Sequence, residues 1–328
     1  MKWLPPLLLF LCLSTPNEAA YTLKGAHHIK SNTVPKLTAE EYYRLGSAAI
    51  HAEDWRVAAK QFYLASFYYP ETTYGQDAHF YLGIAYYHLQ EFDFANEAFS
   101  TYLNCQTNPR FFREAIQNKF SIAEHFRNGE LCRVLSTKQL PKWASGKALA
   151  IDIFDEVIAA LPNQELAIQA LFAKACLLWE QRLYREGVEA FQTLIRRYPK
   201  HELAPESYLL INKLYQEQCQ REFQNPDLLA FAKINLRKFE EAFPREERLE
   251  SARDDLLSIK EIYAQGFFNT ASFYERINEP KAAVMYYHMA MTKFPETKTA
   301  DECKNCLARL DPRTFGRKDL QSEMKAPA

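Results

Sequence analysis

The chain has 328 residues, and 40 Lys or Arg against 41 Asp or Glu leave a formal net charge of -1. Such a charge provides no long-range field to attract nucleic acid or acidic lipid. Hydrophobic residues make up 48% of the chain and only 9 residues are glycine, which favours a folded protein of helices with short turns and leaves little for a phosphate-binding loop.

The first twenty residues are typical of a secretory signal. A lysine at position 2 precedes an apolar stretch from Leu4 to Leu13 that is too short to span a bilayer. Two processing routes are open. Ordinary cleavage would fall near Ala20, whereas a lipoprotein signal would end at Cys12, although Leu11 is larger than the residue that this processing usually accepts. We predict a signal peptide over 1–20, with a lipid anchor on Cys12 as one of the two outcomes.

The next segment, 21–37, is polar and has no helical period. We predict an extended leader between the signal and the first helix. It contains the adjacent histidines His27 and His28, which we interpret as exposed side chains rather than as metal ligands.

A helix-turn-helix repeat begins at residue 38. The first unit carries Tyr42, Leu45, Gly46, Ala58, Phe62, Ala65 and Pro70 in chain order. Small residues are needed where two antiparallel helices cross, and a ring such as Phe62 fills the space between one helix pair and the next. A proline then ends the second helix. This spacing is typical of a tetratricopeptide unit of about 34 residues.

Further copies of the unit follow along the chain. A second begins at Gln76, a third ends at Pro199 and another ends at Pro295, with degenerate helix pairs between them and a loop insertion over 128–146. The residues that we assign to packing between helices are Gly46, Ala58, Phe62, Gly83, Ala95, Phe99, Ala175, Phe191, Ala271 and Ala283. The expected fold is all-α, a tetratricopeptide superhelical solenoid of about six antiparallel helix pairs.

This pattern divides the chain into four regions after the leader. We predict an N-terminal repeat pair over 38–110, middle repeats over 111–202 that contain the insertion, and C-terminal repeats over 203–310. The segment 311–328 is charged and flanked by proline, and we predict that it is disordered.

No catalytic motif is visible in the chain. The close pair Cys303 and Cys306 is compatible with two packed thiols, with an oxidised pair in an oxidising compartment, or with a redox or half-metal site. A zinc site would need two further ligands, and no second pair of cysteine or histidine residues matches it. We therefore expect a protein that is not an enzyme and holds no metal and no cofactor.

Several short stretches carry a resemblance to a known family. Asp54-Trp55-Arg56, Tyr69-Pro70 and Ala85-Tyr86-Tyr87 lie near the start, and Ala271-Ser272-Phe273-Tyr274 and Phe294-Pro295-Glu296-Thr297 lie near the end. In order and spacing they resemble the first and last repeats of BamD, the tetratricopeptide lipoprotein of the bacterial outer-membrane β-barrel assembly machinery. The likeness is best over Ala39–Leu103 and returns over Phe267–Thr297.

This resemblance implies a non-enzymatic periplasmic scaffold that is tethered to the outer membrane by its lipid. The C-terminal repeats would dock on the barrel-inserting, BamA-like subunit, and an N-terminal groove would meet nascent outer-membrane proteins. By the same match, the groove contains Tyr42, Trp55, Tyr63, Phe67, Tyr74 and Tyr81. The alternative is a periplasmic tetratricopeptide adaptor for a secretion or cell-wall complex.

Overall fold

The computed structural model describes residues 21–24, 27–30, 35–133, 140–222 and 225–310. The predicted signal peptide with Cys12 and the predicted tail over 311–328 lie outside these residues. The chain divides into two compact units, 1–160 and 161–328, which are treated separately. None of the helices in the described ranges is long and apolar enough to cross a membrane. The predicted boundaries at 110 and 202 stay predictions.

Unit 1 contains helices and two short strand pairs in its described part. The helices are α1 (Ala39–His51), α2 (Trp55–Tyr68), α3 (Thr73–His88), α4 (Phe92–Cys105), α5 (Phe112–Arg127) and α6 (Lys147–Ala160). The strands are β1 (Tyr21–Lys24), β2 (His27–Lys30), β3 (Leu131–Cys132) and β4 (Ala144–Ser145). β1 pairs antiparallel with β2, in the predicted leader, and β3 pairs antiparallel with β4, in the predicted insertion.

Unit 2 continues the pattern of helix pairs. Its helices are α7 (Glu165–Glu180), α8 (Tyr184–Arg197), α9 (Leu203–Arg221), α10 (Pro226–Ala242), α11 (Leu249–Arg276), α12 (Pro280–Lys293) and α13 (Lys298–Leu310). Consecutive helices pack as α7–α8, α9–α10 and α11–α12, and α13 packs on α11 and α12. With the three pairs of unit 1, this confirms the prediction of an all-α tetratricopeptide-repeat fold.

The two helices of a pair are joined by the same turn in several repeats. Glu53 has a positive φ of 56°; its N–H donates to the Ile50 carbonyl at 3.0 Å, and that of Asp54 donates to the Ala49 carbonyl at 2.9 Å. Equivalent pairs of hydrogen bonds, again with positive φ, occur at Gln90, Gly129, Arg182 and Asn278. These bonds satisfy carbonyls at the helix end and fix the point at which the second helix can begin.

Close contacts between helices depend on small residues that face rings. An added Cβ on Gly46 would lie 2.8 Å from the Phe62 ring, and one on Gly83 would lie 2.7 Å from the Phe99 ring. The structure buries all ten residues that we assigned to packing between helices. Backbone and ring therefore touch directly at these crossings, and the second helix of each pair is set by that contact.

A single buried cation ties three helices of unit 1 together. Lys119 on α5 is fully buried, and its Nζ donates to Oδ1 of Asn96 at 2.8 Å and to Oγ of Ser100 at 2.5 Å, both on α4. The same Nζ lies 2.5 Å from Oε2 of Glu156 on α6. Burial lowers the pKa of Lys119, and the Glu156 carboxylate opposes this shift. All three N–H groups of the ammonium thus have an acceptor.

Candidate protein-interaction surfaces

The first helices of the pairs in unit 1 carry a group of aromatic rings. The centroid of the Tyr43 ring lies 5.3 Å from that of Tyr74 and 5.6 Å from that of Tyr81. The Phe111 ring, just before α5, lies 5.6 Å from Tyr81, and the Arg110 guanidinium lies 5.1 Å from the Phe111 ring centroid. We call Tyr43, Tyr74, Tyr81 and Phe111 the first-helix aromatic surface.

This surface combines apolar rings with hydroxyl groups. Tyr74 is 41% exposed, whereas burial and a hydrogen bond to Tyr81 raise the pKa of Tyr43, so its hydroxyl keeps its proton at neutral pH. Tyrosine rings offer a large contact area at low entropic cost, and their hydroxyls can hydrogen-bond to a partner. The surface is therefore suited to contact another protein.

A second aromatic group lies among the helices α2, α3 and α4. There Tyr63 and Phe67, with ring centroids 6.0 Å apart, line a cavity of about 260 Å³ together with Leu82 and Tyr86. Tyr63 itself is only 8% exposed. Burial raises the pKa of Tyr63 to about 12.

The six predicted groove residues thus occupy three places. Tyr74 and Tyr81 belong to the first-helix aromatic surface, and Tyr63 and Phe67 line the cavity beside α2 and α4. Tyr42 is 5% exposed and stacks on Tyr68 with centroids 6.4 Å apart, inside the core. Trp55 stacks on His88 at 3.8 Å, at the end of the pair where the helices turn. The structure does not bring the six together in one groove.

The misplacement of Tyr42 has a simple geometric cause. On α1, Tyr42, Gly46 and Ala49 share one buried face, because they lie about one helical turn apart. The neighbouring Tyr43 points about 100° away from that face and reaches Tyr74 and Tyr81 instead. Gly46 and Ala49 follow Tyr42 at helical spacing on the same face. This spacing was the sequence feature that could have assigned Tyr42 to the core and Tyr43 to the surface.

Arg133 and Lys142 hold the insertion to unit 1, and Lys142 Nζ lies 2.6 Å from the Gln90 carbonyl and 3.1 Å from Oε2 of Glu91. Nη1 of Arg133 lies 2.8 Å from Oε2 of Glu91 and 3.0 Å from Oδ2 of Asp93, and the guanidinium lies 4.7 Å from the Phe94 ring centroid. Nε of Arg133 donates to the Leu140 carbonyl at 3.0 Å. These bonds join both sides of the insertion to the start of α4.

The insertion also presents an apolar side chain that sequence reasoning did not single out. Trp143 is 66% exposed, and its N–H donates to the Cys132 carbonyl at 3.3 Å. An exposed tryptophan directly before a strand is the type of residue that anchors protein contacts.

The described residues bring no metal-binding cluster of acidic, histidine or cysteine side chains together. No group of three His, Cys, Asp or Glu side chains among them is placed to hold a metal ion. Cys303 and Cys306 are free thiols, and burial raises the pKa of Cys303 to about 12. The protonated thiol is a poor nucleophile and a poor metal ligand, so Cys303 acts as a packed apolar side chain next to Ala271 and Tyr287.

Solved structures with a similar arrangement of helices are tetratricopeptide proteins of low sequence identity. A repeat protein from Bacteroides fragilis is 12% identical, with 84% of this chain and 99% of that chain covered and a TM-score of 0.40. YrrB, a protein with an unusual peptide-binding site, is 13% identical over 66% and 92%, with a TM-score of 0.35. PilF from Pseudomonas aeruginosa is 13% identical over 81% and 96%, with a TM-score of 0.30.

Comparison with protein families gives a more specific result. No curated protein matches the chain at a significant level. The family described as YfiO, outer membrane lipoprotein, matches residues 143–312. This range contains Phe267–Thr297, one of the two stretches that resemble BamD, whereas Ala39–Leu103, where the likeness is best, lies outside it. Because the match covers more than half of the residues, the chain belongs to the YfiO outer membrane lipoprotein family and is a BamD-type tetratricopeptide-repeat protein.

Proposed function

We propose that this protein is a scaffold of the outer-membrane β-barrel assembly machinery. Its family and its fold are of non-catalytic, protein-binding types. The family match over 143–312 is the observation that carries the proposal, because the matched family is one of outer-membrane lipoproteins. In this proposal the protein resides in the periplasm and is held at the outer membrane by a lipid on Cys12.

Two partners are assigned to the two units. The matched repeats of unit 2 bind the periplasmic part of the barrel-inserting subunit. The first-helix aromatic surface of unit 1 binds nascent outer-membrane proteins before they insert. Support for the second contact comes from Tyr43, Tyr74 and Tyr81, whose clustered rings offer apolar area beside hydroxyl groups.

Partner identification tests the first assignment. The full-length chain with a C-terminal tag is purified from detergent-solubilised membranes, and its partners are identified by mass spectrometry. We expect a near-stoichiometric outer-membrane barrel protein with periplasmic domains. Recovery of inner-membrane or wall-associated components without such a barrel would instead establish the adaptor function.

Paired variants test the second assignment. Tyr74→Ala with Tyr81→Ala is expected to reduce cross-linking to an unfolded outer-membrane protein, while the barrel-inserting subunit still co-purifies. Lys60→Ala, at an exposed position of α2, is the matched control and should leave both contacts unchanged. If the double variant cross-links to the unfolded protein as well as the parent does, the aromatic surface is not its binding site.

Fractionation tests the anchor. Cys12→Ser in the full-length precursor should move the protein from the membrane to the soluble periplasmic fraction. Retention of the variant in the membrane fraction would contradict lipidation at Cys12 and leave the barrel-assembly role to be judged by the pull-down.

A further inference from the structure

The cavity of about 260 Å³ among α2, α3 and α4 has no role in the proposed function. Its exposed lining residues are Pro70, which follows α2, and Glu97 and Cys105 on α4. Because α2 and α4 are the second helices of their pairs, the cavity opens on the side of the second helices, away from the first-helix aromatic surface. Pockets for drug-sized ligands measure about 300–1,000 Å³, so this cavity has the size for one small molecule or chemical group.

Aromatic rings from all three helices line the cavity. The ring centroids of Tyr63 and Phe67 on α2 are 6.0 Å apart, and those of Tyr86 on α3 and Phe94 on α4 are 5.5 Å apart. Tyr86 and Phe94 are only 3% and 2% exposed, so they lie in the inner part of the cavity. The face of an aromatic ring carries partial negative charge and attracts cations.

The charges around the cavity have the sign that suits a cation. Glu97 is acidic, and none of the lining residues that the structure describes is Lys or Arg. Burial raises the pKa of Tyr86, and the neighbouring Tyr63 and Glu97 raise it further, so the Glu97 carboxylate acts on the inner part of the cavity. His79 also lines the cavity and can gain a positive charge, so binding is best measured at about pH 8, where an imidazole is ordinarily neutral.

Two hydroxyl groups of the lining donate their protons to the protein itself. Oγ of Ser66 donates to the Tyr63 carbonyl at 3.1 Å, and Oγ1 of Thr101 donates to the Glu97 carbonyl at 2.8 Å. Towards a ligand these oxygens can accept but not donate. An ammonium with several N–H groups needs an acceptor for each of them, whereas the walls are mostly rings and aliphatic side chains such as Leu82. An ammonium that carries methyl groups on its nitrogen does not have this requirement.

We infer that this cavity binds a small alkylated ammonium group, of the kind that choline carries. The four rings contact its N-methyl groups, and the Glu97 carboxylate at the opening balances its charge. The inference does not depend on the machinery in which the protein works.

The first test compares a cation with an uncharged molecule of the same shape. Isothermal titration calorimetry of the full-length protein at about pH 8 should show saturable binding of choline. The analogue in which a carbon atom replaces the nitrogen should bind at least about tenfold more weakly, because it fills the same space without the charge.

Variants of the lining form the second test. Glu97→Gln and Phe67→Leu should each weaken the binding of choline at least about threefold. Glu114→Gln makes the same change of charge at an exposed position of α5 that does not line the cavity, and it should leave the affinity unchanged. Glu97 is itself exposed, so Glu97→Gln carries the test if Phe67→Leu does not fold.

Phosphatidylcholine vesicles distinguish the two sources of such a group. They are used with Cys12→Ser, so that a lipid anchor does not contribute to sedimentation. Co-sedimentation that free choline displaces would indicate a lipid headgroup, and binding of choline without co-sedimentation would indicate a free solute.

Three results would overturn the inference: no saturable binding of choline, equal affinity for the uncharged analogue, or equal affinity of Glu97→Gln and the parent for choline. A pull-down that still recovers the barrel partner would then leave the proposed function standing.

Discussion

At the scale of single residues, Gly83 lies where an added methyl group would meet a ring. Gly83→Ala should gain about 1 kcal/mol of helix propensity, but its Cβ would lie 2.7 Å from Cε1 of Phe99, and overpacking of this type costs about 1–3 kcal/mol. We expect a net loss of up to about 2 kcal/mol in the free energy of unfolding, measured by urea denaturation.

A second substitution shows whether the ring is the cause. Phe99→Leu removes the edge of the ring that the new methyl group meets, so Gly83→Ala should cost less in the Phe99→Leu background than in the parent. Equal costs in the two backgrounds would show that the contact between position 83 and the ring is not what restricts the residue.

The raised pKa of Tyr63 should affect stability at alkaline pH. Burial raises the pKa of Tyr63 to about 12, above the value of about 10 of an unfolded tyrosine. The folded state therefore holds this proton more tightly, so the contribution to stability is complete below pH 10 and is lost as the pH rises towards 12. Between pH 9 and pH 11, Tyr63→Phe should lose less unfolding free energy than the parent in urea titrations. An identical loss in both proteins would contradict the assigned shift.

Residue spacing predicts the helix crossings better than it predicts the surface. Gly46 and Gly83 could be assigned from the sequence, because only a very small residue leaves room for Phe62 and Phe99. An aromatic residue serves equally well in the core and on a surface. The sequence therefore placed Tyr42 in the groove and overlooked Tyr43, although the two are adjacent.

At the scale of the structural element, the conformation of the turn within a helix pair leads to a prediction about stability. Glu53 is exposed and has φ of 56°, a conformation that costs a residue with a side chain about 1–2 kcal/mol. Glu53→Val should therefore unfold at lower urea concentration than Glu53→Gly, with a difference of about 1–2 kcal/mol. Leu45→Val against Leu45→Gly, in the ordinary helical region of α1, is the control, and there the glycine variant should be the less stable.

The attachment of the insertion to unit 1 gives a second prediction at this scale. Arg133→Ala removes the side-chain bonds to Glu91, Asp93 and the Leu140 carbonyl and keeps the backbone hydrogen bond to Asp93. We expect faster amide hydrogen exchange at Trp143, whose N–H pairs with Cys132, while α3 keeps its protection. Arg127→Ala, which removes only an i,i+3 pair with Glu124, should leave the exchange at Trp143 unchanged. Slow exchange at Trp143 in Arg133→Ala would show that the strand pair holds without the arginine.

The positions of the helices could be predicted from sequence patterns, but the turns that connect the helices of a pair could not. Closing prolines such as Pro199 and Pro295 marked the helix ends. The common turn was not predictable, because Glu53, Gln90 and Arg182 are not the residues that usually adopt positive φ. The sequence pattern predicted the end of the last pair at Pro295 but not the start of its first helix; α11 begins at Leu249, since no proline or glycine interrupts its first half.

At the scale of the whole molecule, stability should be local. In a repeat array, each unit depends chiefly on its nearest neighbours. Gly83→Ala should therefore raise amide exchange in α3 and α4, which cross at Gly83, and leave α11–α13 of unit 2 unchanged. Mass-spectrometric hydrogen exchange on the full-length chain measures both. Equal loss of protection in both units would show a single cooperative structure.

The family match also differs between the two ends of the chain. Residues 143–312 match the family, and Ala39–Leu103 do not, although the latter repeat the tetratricopeptide pattern most regularly. Small residues at helix crossings identify the fold in both stretches, but their spacing alone does not distinguish one tetratricopeptide family from another. The fold could therefore be predicted along the chain, and partners could not.

The five matching turns have a consequence for where the length of the chain can change. After Glu53, Gln90, Arg182 and Asn278 the second helix starts two residues later, whereas after Gly129 it starts only at Lys147. The Gly146 N–H donates to the Glu130 carbonyl at 3.3 Å, so the chain departs from and returns to one point. Excision of 131–146 would recreate the spacing of the other turns, so the length of the chain at this position can change without a change in the helix pair.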